Sequence, residues 1–107
     1  MTDALQSLED QYILLTNNLS NLEAACRPGT DDMSNLMTQY VASRRNYFNC
    51  INQMFHDDDP AVQDLVAQMS AQQAALKVAV TGIGDIAGVI TAITTAVQVG
   101  AQLAAKV

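Results

Sequence analysis

VTGIGDIAGVITAITTAVQVGAQLAAKV, residues 80–107, decides how the chain is laid out. Gly82 and Gly84 lie within three residues of each other, and each costs about 1 kcal/mol in a helix interior relative to alanine. Asp85 follows, placed to cap a new helix. The pattern predicts a break there and a separate last helix over 85–107. The alternative is one helix from Pro60 to Val107, about 70 Å long at ~1.5 Å per residue. From Ile86 to Ala105 there are 20 residues without a charge. As a helix that run matches the ~30 Å hydrocarbon thickness of a bilayer. Thr91, Thr94, Thr95, Gln98 and Gln102 interrupt it. Lys77, Thr91, Thr95, Gln98, Gln102 and Lys106 share one helical stripe, with Ile83, Ile86, Ile90, Ile93, Val97 and Ala104 opposite. The segment is an amphipathic helix with a wide apolar face.

A second pattern is superimposed on the first. Gly84, Gly88, Ala92, Ala96, Gly100 and Ala104 place a small residue at every fourth position. Such a ridge lets another helix approach closely, and small-xxx-small repeats recur as association faces in membranes. The residues expected to carry membrane contact or self-association are therefore Ile83, Gly84, Ile86, Gly88, Ile90, Ala92, Ile93, Ala96, Val97, Gly100 and Ala104.

Upstream, Asp57-Asp58-Asp59-Pro60 punctuates strongly, with Asp59 as N-cap and Pro60 in the first helical position. A helix over 60–80 follows, with Val62, Leu65, Val66, Met69, Leu76 and Val80 on one face. Residues 31–56 read as another helix, capped by Thr30, with Asp31 and Asp32 in its first turn. Met33, Leu36, Met37, Tyr40, Val41, Tyr47, Phe48, Ile51, Met54 and Phe55 give it a broad apolar face, expected at the centre of the core. Pro28-Gly29 separates it from a helix over 3–26. There Leu5, Leu8, Tyr12, Leu15, Leu19, Leu22 and Cys26 alternate at spacings of three and four, a coiled-coil seam.

The composition agrees with helices. Half of the 107 residues are apolar, 15% are charged and only 5% are aromatic, which favours helices over strands. The expected fold is all-α: one domain of three to four helices, approximately 3–26, 31–56, 60–80 and 85–107. Residues 1–59 form an acidic hairpin with nine Asp/Glu against three Arg. Residues 60–107 form a charge-poor, Ala/Gly-rich segment. The net charge of −6 argues against nucleic acid. Residues 1–4 carry no basic and apolar leader of the Sec type, so cytoplasmic residence or a signal-less export route is expected.

No catalytic constellation emerges, and no enzyme activity, cofactor, metal or small-molecule substrate is expected. His56 beside Asp57, Asp58 and Asp59 lacks a second ligand cluster, and reads as a helix end followed by a cap. Cys26 and Cys50 lie too far apart along an antiparallel hairpin to bond, and read as buried thiols. Arg44-Arg45, the one basic cluster, is expected to neutralise neighbouring acids.

The stretch TGIGDIAGVITAITTAVQVGAQLA, residues 81–104, resembles the membrane-inserting helices of α-helical pore-forming toxins of the cytolysin and haemolytic-enterotoxin type. The resemblance implies a helical bundle that hides this helix until it meets a membrane. Two functions are expected on these grounds. One is a self-associating protein that engages membranes through its C-terminal helix. The other is a soluble or filament-forming interaction subunit, for example of a secretion system, whose last helix is buried against partner copies.

Overall fold

The computed structural model describes residues 3–107. Four helices follow in chain order: α1 (Ala4–Ala25), α2 (Asp32–Phe48), α3 (Pro60–Thr81) and α4 (Ile86–Ala104), with no strand among the described residues. The chain breaks at Gly82–Asp85, so α3 and α4 are separate helices. The single long helix is excluded.

The starts of α1 and α3 are capped by aspartate side chains. The Asp3 carboxylate accepts from the Gln6 amide at 2.7 Å, and Asp57, from the far end of the hairpin, accepts from the Ala4 amide at 3.0 Å. Asp59 accepts from Ala61 N–H at 2.9 Å, with Pro60 next to it. Two members of the Asp57–Asp59 run therefore serve two different helix starts. Gly29, at φ +74°, is the one residue in the left-handed region among the described residues and makes the α1–α2 turn. The Asp32 carboxylate turns back onto Arg27, taking its Nε at 2.8 Å, its Nη2 at 3.1 Å and its backbone N–H at 3.0 Å. Thr30 does not cap α2 in the expected way, but its hydroxyl accepts from Asp32 N–H at 3.3 Å.

The bonds from Arg27 hold the Asp32 carboxyl well below the usual carboxylate range. A depressed folded-state pKa contributes stability above the unfolded value of about 4, lost as pH falls through the folded one. Asp32→Asn is therefore expected to melt below the wild type at neutral pH, with the gap closing under strong acid. Parallel melts by circular dichroism at several pH values check this, and a gap independent of pH contradicts it.

The helices alternate in direction. α1 and α2 form one hairpin, and α3 and α4 form a second beside it. α1 packs on α2 and α3, α4 packs on α2 and α3, and α1 touches α4 across the centre, whereas α2 and α3 do not meet. Residues 49–59 cross the end of the bundle.

The expectations for the extent and burial of α2 need correction. α2 ends at Phe48, not at residue 56. Beyond it the chain turns through Cys50 N–H to Tyr47 C=O and Gln53 N–H to Cys50 C=O. This tucks Cys50 against the Ala104 carbonyl and brings Phe55 onto the end of the core. Nor is α2 the core's centre. Of its expected apolar face only Leu36 is buried; Met33, Val41, Phe48, Ile51 and Met54 are exposed. The inward positions of α2 include Ser43 and Asn46.

The core belongs to α4 and to the leucines around it. One apolar cluster joins Leu15 and Leu22 of α1, Leu36, Leu76 and Val80 with Ile86, Ile90, Ile93 and Val97 of α4. A second, at the other end, joins Ala4, Leu8, Cys50, Val62, Leu65 and Met69 with Val99 and Leu103. The face foreseen on α3 is buried at Val62, Leu65, Met69, Leu76 and Val80, with Val66 half-buried. The α1 seam is shifted. Leu8, Leu15 and Leu22 are buried, but their companions inside are Ala4, Ser7 and Gln11, and Leu5, Tyr12 and Leu19 lie half-buried on its flank.

Candidate association helix

α4 folds with its apolar face inward. Ile86, Ile90, Ile93 and Val97 are buried and Ile83 is half-buried, while Lys77, Thr91, Thr95, Gln98, Gln102 and Lys106 all face solvent. The two stripes read from the sequence are the inside and the outside of the bundle. α4 is long and apolar enough to cross a membrane by length and composition, and half of that stretch is buried within the protein.

The small-residue ridge divides. Gly84, Gly88 and Ala92 are exposed; Ala96 and Gly100 are buried, and Ala104 is half-buried. The buried half has a specific occupant. Gln11 of α1, 1% exposed, donates from Nε2 to the Ala96 carbonyl at 2.9 Å. Asn46 of α2 donates to the Val97 carbonyl at 3.4 Å. Both side chains fit because position 100 has none. A Cβ there would lie 2.8 Å from Gln11 Oε1 and 3.4 Å from Asn46 Nδ2. At Gly88 the nearest neighbour is the Asp85 carboxylate, 3.1 Å from such a Cβ, leaning over the first turn of α4 without capping it.

These residues belong to a polar layer that the sequence does not announce. Gln11, Asn46 and Gln72 sit on α1, α2 and α3 at the level where the two apolar clusters meet, and Gly100 sits there on α4. Gln11 Oε1 and Gln72 Oε1 are buried without a hydrogen-bond partner. An unsatisfied buried acceptor costs about 1–3 kcal/mol. The layer thus weakens the middle of the bundle while fixing the level at which the helices meet. Glutamine and asparagine carry no apolar periodicity, so only the interruption of α3's stripe between Met69 and Leu76 hinted at it.

The outer surface of the α1–α2 hairpin has a different character. Tyr12, Tyr40, Tyr47 and Phe48 form a ring cluster with centroids 5.2–6.1 Å apart. The three tyrosines are half-buried and Phe48 is 47% exposed. Tyr47 Oη donates to Glu9 at 2.5 Å, a bond that pushes the phenol pKa up. Thr16 and Tyr40 hydroxyls meet at 3.2 Å. Arg44 lies over the Phe48 ring, 5.6 Å from its centroid. Neither Arg44 nor Arg45 makes an ion pair; Arg27–Asp32 is the one ion pair among the described residues.

Both cysteines are free, Cys26 half-buried at the end of α1 and Cys50 buried at the other end of the bundle. Burial raises both thiol pKa values, and Asp32 and Glu23 add to the effect at Cys26. Among the described residues no group of three or more His, Cys, Asp or Glu is arranged to hold a metal. No protein-family model, no curated protein and no solved structure matches the chain.

Proposed function

We propose that this chain is a non-enzymatic helical interaction subunit that works by self-association while its bundle stays closed. The observation that carries this reading is the burial of α4. Its apolar face is already filled by the chain's own α1, α2 and α3, with Ile93 and Leu103 at 0% exposure. Most of the large apolar side chains left exposed for a partner lie on the α1–α2 hairpin and just beyond it. Light scattering across a concentration series at neutral pH tests this. The expected result is a reversible shift from monomer to a small oligomer. A monomer at every concentration contradicts it.

A second reading keeps the resemblance to pore-forming helices. In it the α3–α4 hairpin swings away from α1–α2 at a membrane and α4 inserts. Its support is the length and charge-free composition of α4, together with the two unpartnered oxygens in the plane the opening would cross. Dye release from phosphatidylcholine–phosphatidylglycerol vesicles, tracking protein concentration, favours this reading over the first.

A further inference from the structure

Three features coincide on the outer face of the α1–α2 hairpin. First, exposed apolar residues concentrate there and just beyond: Met33, Val41, Phe48, Ile51 and Met54 are five of the eight large hydrophobic residues left exposed. Second, residues 33–56 contain no Asp or Glu and carry Arg44 and Arg45, in a chain of net charge −6. Third, the face holds Tyr, Phe, Met and Arg, the residue types enriched at protein interfaces.

The same face also carries its own complement. Glu9 of α1 and Arg44 of α2 stand at one level of the bundle, since Tyr47 holds Glu9 at 2.5 Å and Phe48, under Arg44, meets Tyr12 edge-on at 5.6 Å. The two do not pair within one chain. α1 and α2 are antiparallel neighbours. A two-fold axis parallel to both therefore lays α1 of one copy antiparallel on α2 of the other, twice, with every level preserved. Arg44 of each copy then faces Glu9 of its partner, and the Phe48 edges and Met33 ends are covered together. An isologous contact demands self-complementarity of this kind, and two-fold dimers are the commonest assembly.

We infer that the outer face of the α1–α2 hairpin docks a second copy of this chain about such a two-fold axis, through reciprocal Arg44–Glu9 pairs around the Tyr12–Phe48 cluster. The inference rests on the self-association reading and names its surface. A lipid headgroup surface fits less well, because basic clusters that recognise anionic bilayers hold about 4–8 cations, and here two arginines stand on an acidic chain.

Sedimentation equilibrium of the full chain tests it. Arg44→Glu and Glu9→Arg should each weaken the dimer about ten-fold or more at low salt, because each sets like charges against one another twice. Mixing the two single variants should restore dimerisation, since in the mixed pair both contacts are again opposite in sign. Only a contact that sets position 44 of one copy against position 9 of the other gives that rescue. Phe48→Ser, which removes a half-exposed ring, should also weaken the dimer about ten-fold in a chain that still folds and melts cooperatively, somewhat below the wild type for loss of the ring's contacts with Tyr12 and Tyr47; it stands in if Glu9→Arg fails to fold without the Tyr47 bond. A dimer indifferent to Arg44→Glu and Phe48→Ser overturns this surface and leaves self-association standing. A chain monomeric throughout overturns both. Binding to phosphatidylcholine–phosphatidylserine vesicles that Arg44→Glu abolishes, in a chain that stays monomeric, assigns the face to lipid and overturns the dimer.

Discussion

Gly100→Leu is expected to lower the melting temperature by more than about 10 °C, at roughly 4–8 °C per kcal/mol for a domain of this size. A Cβ at this position already meets Gln11 Oε1 at 2.8 Å, and a leucine must displace the Gln11 amide from the Ala96 carbonyl. Overpacking costs about 1–3 kcal/mol, and a buried amide left without its partner costs about as much again. Gly88→Ala is the control on the same ridge. There the neighbour is the mobile end of the Asp85 side chain on an exposed turn, so the helix-propensity gain of about 1 kcal/mol should prevail. Gln11→Ala combined with Gly100→Leu should cost less than the two changes separately, because one removes what the other collides with. Thermal melts of the four variants measure this. Equal effects at positions 88 and 100 contradict the assignment of the buried half of the ridge.

Leu15→Asp is expected to unfold the chain. Leu15 is 1% exposed in the cluster that joins α1 to α4, with no cation among the cluster's residues. An unpaired buried carboxylate costs several kcal/mol, against a total stability of about 5–15 kcal/mol for an ordinary domain. Leu19→Asp should be much milder, because Leu19 lies half-buried on the flank and its carboxylate can reach water. Loss of helical circular dichroism in the first variant and a cooperative melt in the second are the expected pair. Equal damage would restore the leucine seam in its original register.

That contrast shows where the sequence was readable. The α3–α4 break was legible because Gly82 and Gly84 act locally, through backbone freedom. The two faces of α4 and the buried stripe of α3 were legible because nearly every inward position there is apolar. α1 was half legible: leucines occupy both 8/15/22 and 5/19, and the positions that settle which set faces in are Ala4 and Gln11, which add little to an apolar pattern. α2 misled over most of its length, with Leu36 buried and Tyr40 and Tyr47 packed on the core's edge. Its inward side includes Ser43 and Asn46, and its outward side Met33, Val41 and Phe48. Periodicity records where apolar residues fall, not whether a neighbour covers them. An apolar stripe turned toward a partner copy therefore looks the same as a core face. The end of α2 was missed because Cys50 and Phe55 are drawn inward by Ala104 and the terminal cluster, contacts distant in sequence.

The central claim is that α4 remains the core of a closed bundle while the chain does its work from the α1–α2 face. Amide hydrogen exchange across residues 86–104 tests it most directly, in dilute monomer, in the concentrated oligomer and with phosphatidylcholine–phosphatidylglycerol vesicles. The account predicts that α4 amides exchange only through global unfolding in all three conditions, while new protection appears on α1 and α2 in the oligomer. Loss of α4 protection with vesicles or on association, with α1 and α2 unchanged, would contradict it.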